Sequence, residues 1–116
     1  METFRFRRFK VYQDAKSYNV QLFQLTKNFP SNLRSQIIRS SLSILLNIAE
    51  GSAKKSDKDF NRYIENSLGS VNETVAGLEL AYELKLLSQV EFLGLLKQSE
   101  EIAKQLGGLS KKLKYR

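Results

Sequence analysis

Apolar and small residues recur at steps of three and four along most of this chain. Leu95, Ser99, Ile102, Leu106, Leu109 and Leu113 form one such series, and Val11, Ala15, Tyr18, Leu22, Leu25 and Phe29 another. That period places each series on one face of a helix, laid nearly parallel to its neighbours. Four such segments follow one another with short connections and nothing patterned as a strand. Short connections join antiparallel neighbours, so the expected fold is all-α: an antiparallel up-and-down four-helix bundle in one domain, residues 1–116.

Breaks in the pattern give the boundaries. Residues 1–10 form a basic arm in which Phe4, Phe6 and Phe9 alternate with Arg5, Arg7, Arg8 and Lys10. Helices are expected at about 12–28, 32–50, 57–87 and 89–112. Pro30 pushes its predecessor out of helical geometry and ends the first helix, and Ser31 and Asn32 are candidate caps for the second. Gly51 stands where a left-handed terminator is wanted. Ser56-Asp57-Lys58-Asp59 and Ser88-Gln89-Val90-Glu91 have the form of capping boxes. The third helix, at 1.5 Å per residue, is roughly 45 Å long. Gly107-Gly108 is a candidate loosening point in the fourth.

Two helices carry more apolar surface than one core needs. Beside its main stripe of Phe60, Ile64, Ser67, Val71, Val75, Leu78 and Tyr82, the third helix has a second one, Ala76, Leu80, Leu84 and Leu87. The second helix pairs Ile37, Ser41, Ile44 and Ile48 with Ile38, Leu42, Leu45, Leu46 and Ala49. An uneven monomer core would account for this; the preferred reading is self-association, with Leu42, Leu46, Ala76, Leu80 and Leu84 at the interface.

Composition narrows the function classes. Histidine and cysteine are both absent, which removes the commonest general base, thiolate metal sites and a disulfide framework. No nucleophile–base pair or metal constellation can be assembled, so neither catalysis nor a cofactor is expected. No apolar run suffices for a signal peptide or membrane span, and a cytoplasmic protein without membrane contact is expected.

Charge supplies the positive indication. Lys and Arg number 19 against 12 Asp and Glu, for a net charge of +7. Residues 1–12 carry +3, residues 54–62 carry +2 and residues 104–116 carry +5, whereas residues 63–101 carry −5. Up-and-down threading gathers the three basic segments at one pole. Clustered cations displace counterions from phosphates, so the pole suits a polyanion such as nucleic acid, the alternative being basic segments that are merely solvated. The candidate contacts are Arg5, Arg7, Arg8, Lys10, Lys54, Lys55, Lys58, Arg62, Lys111, Lys112, Lys114 and Arg116, with Arg34 and Arg39 either lining a lumen or simply solvated. The arm's aromatics either stack on unpaired bases or pin the arm to the bundle edge.

The run Arg39-Ser40-Ser41-Leu42-Ser43-Ile44-Leu45-Leu46-Asn47-Ile48-Ala49-Glu50-Gly51, followed by Lys54-Lys55-Ser56, Asp59-Phe60 and Leu68-Gly69-Ser70, resembles the bacterial four-helix-bundle proteins encoded by intervening sequences of large-subunit ribosomal RNA genes. Val11-Tyr12, Ala15, Thr26 and Phe29-Pro30 match that family's first helix, and Ile102 through Leu113 its last, so the likeness covers nearly the whole chain. Asn47 to Gly51 is its most specific part. Leu45 departs from the family's usual proline. The family is similar in fold to the accessory variability proteins of diversity-generating retroelements, which bind a reverse transcriptase and its RNA template; the Gly107-Gly108 step before a basic end resembles that branch. The resemblance implies a ring-like homopentamer with a basic surface that holds nucleic acid, structured RNA when taken together with the charge, and as the alternative function an accessory adaptor for a partner such as a reverse transcriptase. Within the motif, Asn47 is expected to hydrogen-bond across helices, Glu50 to pair with Arg39 or at a subunit boundary, and Gly51 to end its helix. Tyr63 and Tyr82 are expected to be packing residues.

Overall fold

The computed structural model describes residues 3–115. A short 3-10 helix, Arg5–Arg8, precedes four α-helices: α1 (Lys10–Leu25), α2 (Ser31–Ser52), α3 (Asp57–Glu83) and α4 (Gln89–Tyr115). No strand occurs among the described residues, and none of these helices is long and apolar enough to cross a membrane. The helices pack in the order α1–α2–α3–α4, with α4 returning against α1, in a body of 45 × 24 × 20 Å. Tyr18, Leu22, Ile44, Ile48, Ile64, Leu78, Ile102 and Leu106 are almost wholly buried at its centre.

Side-chain bonds fix the registers. Between α1 and α4, Asp14 meets Gln105, Tyr18 meets Ser99 and Gln21 meets Gln98. Between α2 and α3, Ser40 meets Thr74, Ser43 meets Ser70, and the Ser67 hydroxyl donates to the Ile44 carbonyl. In both pairs residue numbers fall on one helix as they rise on the other. The α2–α3 seam is lined by these small hydroxyl residues, so the helices lie close and each buried hydroxyl keeps a partner.

Several boundaries differ from those read in the sequence. The arm is not free: residues 5–8 are coiled, and α1 starts at Lys10. It stops at Leu25, where the ladder tightens into i→i−3 turns: the Lys27 amide donates to the Gln24 carbonyl at 3.4 Å and the Phe29 amide to the Thr26 carbonyl at 2.9 Å. Pro30, not Ser31 or Asn32, holds the cap position of α2, and no side chain caps that end. Asn32 instead accepts from the Leu33 amide. Ser88 and Glu91 bond reciprocally at the start of α4, at 3.0 and 2.9 Å. Gly107 and Gly108 leave α4 unbroken to Tyr115, since Leu106, Ser110 and Leu113 are buried around them.

The third helix ends at Glu83, four residues before Leu87, in a Schellman turn. The Leu86 amide donates to the Ala81 carbonyl and the Lys85 amide to that of Tyr82, both at 2.9 Å. Lys85 takes the left-handed position, φ 62°. No glycine announces this stop, so the periodic pattern runs through it. A non-glycine residue there costs about 1 kcal/mol. Lys85→Gly is accordingly expected to raise stability by up to about 1 kcal/mol, read as a higher denaturation midpoint with unchanged slope.

At the centre of the α1–α4 contact the buried Tyr18 hydroxyl lies 2.6 Å from Ser99 Oγ. Burial pushes the Tyr18 phenol up to about 12 from 10.0, partly offset by the Ser99 bond. The folded chain therefore holds this proton where the unfolded chain has released it. The resulting stability is complete below pH 10 and lost as pH rises through 12. Tyr18→Phe should unfold less steeply over that interval than the parent, at a neutral-pH cost of about 1 kcal/mol. Ser99 keeps its 2.8 Å bond to the Leu95 carbonyl in that variant. Equal steepness in parent and variant would refute the assignment.

Candidate nucleic-acid interface

The register of the helices sets what meets at each end. Arg5 Nε and Nη2 donate to the Ser52 carbonyl at 3.1 and 2.9 Å, satisfying an acceptor left open in the last turn of α2. The Phe9 ring stacks over Phe60 at 6.4 Å, and the Arg5 guanidinium lies 5.4 Å from the Phe60 ring. Lys114 Nζ is 3.4 Å from Glu65 Oε2. The arm, the α2–α3 connection and the end of α4 thus share one end of the bundle.

The arm is pinned by its aromatics. Phe6 meets Tyr12 edge-on at 4.8 Å, and Phe9 packs on the core. Phe4 stays 57% exposed. Arg5 is consumed as a staple between arm and bundle. Arg7 and Arg8 are exposed and line a shallow depression with Tyr12, Gln13 and Lys16.

The cations differ in how freely they face solvent. Lys10 lies 2.7 Å from Asp14, and this hydrogen bond raises the lysine and lowers the carboxyl from their ordinary values. Lys54 and Arg62 both lie over the Tyr63 ring, at 5.1 and 4.8 Å, and Arg62 reaches Asp59 at 3.8 Å. Tyr63 is therefore half-buried and organises two cations, where the sequence suggested packing alone. Tyr82 stacks against Phe92 at 4.8 Å. Lys55, Lys58, Lys111 and Lys112 are exposed, and Lys112 borders a cavity with Phe9, Gln105 and Leu109. Arg116 lies outside the described residues.

Arg34 and Arg39 are not part of this assembly. Arg34 sits at the start of α2, about 27 Å along that helix from Ser52. Its Nη2 donates to the Phe23 carbonyl at 3.1 Å, with the guanidinium 5.5 Å from the Phe23 ring. Arg39 is exposed midway along α2.

The motif residues act differently from expectation. Asn47 Nδ2 donates within its own helix, to the Ser43 carbonyl and hydroxyl, both at 2.9 Å. Ser43 then accepts from Ser70, so the link to α3 passes through a serine. Glu50 is exposed and stands eleven residues from Arg39, about 16 Å along the helix, too far for an ion pair inside one chain. Gly51 is no left-handed terminator: no described glycine has positive φ, and α2 continues to Ser52 with Ala53 as cap. What Gly51 supplies is room. A Cβ there would stand 2.7 Å from Tyr63 Cβ and 2.9 Å from Phe60 Cδ1.

The outer apolar residues of α2 and α3 separate onto different surfaces. Leu42 and Leu46 are exposed on α2. Ala76 and Leu80 line a cavity that includes Phe92 of α4, and Leu84 is exposed beside it. Leu87 folds inward and is buried. At the opposite end Val20, Phe23, Leu80, Leu84, Val90 and Leu93 are exposed among charged residues such as Lys27, Glu79 and Glu83.

No curated protein matches this chain. Among solved structures, a protein of unknown function from the S23 ribosomal protein family of Bacteroides thetaiotaomicron VPI-5482 is 26% identical. It aligns with a TM-score of 0.81, over 87% of this chain and 98% of that one. The family model of the 23S rRNA-intervening sequence protein matches residues 7–108, from the arm to the paired glycines of α4. With the four packed helices and the Asn47–Gly51 motif inside that span, the chain belongs to the 23S rRNA-intervening sequence protein family.

Proposed function

We propose that this chain is a non-enzymatic helical bundle, threaded antiparallel up and down, that binds structured RNA through its cationic end. The observation that carries this reading is the convergence of three separately encoded basic segments, tied by the Arg5–Ser52 and Lys114–Glu65 contacts. Arg5, Lys10 and Lys114 are largely engaged within the chain. Arg62 is likewise held by Asp59 and Tyr63, and the phosphate contacts therefore fall to Arg7, Lys54, Lys55, Lys58, Lys111 and Lys112. Such contacts neutralise charge without reading bases, so sequence preference is slight. A ring-like homo-oligomer built through Leu42 and Leu46, a pentamer in the reading that the family resemblance implies, sets several such ends side by side and widens the positive field.

Fluorescence-anisotropy titration of a structured RNA hairpin, with a DNA duplex of equal length beside it, tests this across a salt series. The logarithm of affinity should fall linearly with the logarithm of salt, by about 0.9 per phosphate neutralised on a B-form duplex. Lys55→Ala/Lys58→Ala/Lys111→Ala should lower the slope by roughly 2 to 3, and Lys27→Ala, at the other end, should leave it unchanged. Absence of binding at low salt, or salt-independent affinity, overturns the proposal.

A further inference from the structure

The face between α3 and α4 has a chemistry opposite to that of the cationic end. Two contiguous cavities of about 540 and 360 Å³ run along it and share Ala76 and Glu79. Their apolar lining includes Val75, Ala76, Leu80, Leu96 and Phe92, and the carboxylates of Glu79, Glu83 and Glu100 stand among these. Among the described residues, none of these three carboxylates has an ion-pair partner. From Val71 to Glu83 the groove follows α3 for about 18 Å, the length of about 12 helical residues.

We propose that this groove binds a basic amphipathic helix of a partner protein. The apolar face of that helix lies on Ala76, Leu80 and Leu96, and its arginines or lysines lie against Glu79, Glu83 and Glu100. Three features select this occupant. An apolar floor of helical length suits helix-in-groove recognition. Acidic groups along it complement cations, on a stretch (residues 63–101) that carries −5 in a protein of net charge +7. Half-buried Tyr82, backed by buried Phe92 (ring centroids 4.8 Å apart), adds aromatic surface on which a guanidinium can rest. A second copy of the chain fits less well. Its basic segments lie in an arm pinned by Phe6 and Phe9 and in the end of α4, whose Leu106 and Leu113 are already buried.

The probe is a synthetic amphipathic helix of about 14 residues, leucine along one face and arginine on both flanks, titrated calorimetrically into the full chain. Long-range repulsion from the net positive charge opposes binding everywhere except at a local acidic site, so non-specific attraction contributes little. The parent should bind, and Glu79→Gln/Glu83→Gln should bind at least about tenfold more weakly. Leu80→Ser should weaken binding similarly, and a peptide with glutamate replacing arginine should not bind. Thermal unfolding of each variant checks that the bundle remains folded, which exposed positions 79, 80 and 83 permit. No binding by the parent, or equal binding by the double variant, overturns the proposal. So does a change in solution mass on Glu79→Gln/Glu83→Gln, which would make the groove an interface between copies. RNA affinity, exerted at the other end, should not fall in the double variant, so this result and the RNA titration stand or fall separately.

Discussion

Gly51→Val should cost the bundle about 3 kcal/mol or more. The added Cβ would stand 2.7 Å from Tyr63 Cβ, 2.9 Å from Phe60 Cδ1 and 3.3 Å from the Phe60 carbonyl. Two of these atoms belong to the backbone of α3 or are fixed directly to it, so relief requires the helices to move apart rather than a rotamer to turn. Overpacking of this kind typically costs 1–3 kcal/mol, and valine's second methyl adds to it. In a domain with about 5–15 kcal/mol of total stability the loss is large. The same site carries Phe60, Tyr63 and the Arg5 staple, so the cationic end should loosen as well, lowering RNA affinity. Gly69→Ala is the matching control: nothing lies within 4 Å of a Cβ there. That variant should gain up to about 1 kcal/mol from helix propensity. Equal denaturation midpoints for Gly51→Val and the parent would show that the helices do not meet at this glycine.

Ile44→Ala should destabilise by about 2–5 kcal/mol, and Leu46→Ala by no more than about 0.5 kcal/mol. The two residues are two positions apart in the apolar run of α2. Ile44 is 0% exposed, and its loss leaves a cavity between α2 and α3 beside the Ser67 bond to its own carbonyl. Leu46 is 53% exposed and has little packing to lose inside the chain. If α2 is a contact between copies, Leu46→Ala should instead shift the solution mass toward monomer at a given concentration. Denaturation and sedimentation on the two variants separate the core stripe from the outer one. Comparable destabilisation by both would mean that Leu46 is buried within the folded chain.

The places where sequence reading went astray have a common character. Gly51 has the composition of a terminator, yet its role depends on Phe60 and Tyr63 crossing close by, which no local pattern encodes. Asn47 has the length to reach another helix, but Ser43, one turn back, offers two acceptors at no cost in chain entropy. Arg34 and Arg39 look equivalent as isolated cations on one helix; the Phe23 carbonyl beside Arg34 separates them. The stop after Glu83 is silent because Lys85 adopts the left-handed turn that glycine would have announced. At the cationic end, the charged residues themselves were legible. Which of them face solvent was not, because Arg5, Lys10 and Lys114 are engaged by a carbonyl, a neighbouring carboxylate and a distant glutamate.

Four helices follow from the residue order alone, because a period of three and four, a reciprocal Ser88–Glu91 pair and a proline at position 30 act through neighbours within one turn. The segregation of positive charge into three segments is equally local information. How closely α2 approaches α3, which carbonyl Arg5 reaches 47 residues away, and how the outer leucines divide between a bare face of α2 and an acidic groove depend on helix packing. Those relations join residues far apart in the chain, and they exist only after the buried stripes have driven the helices together.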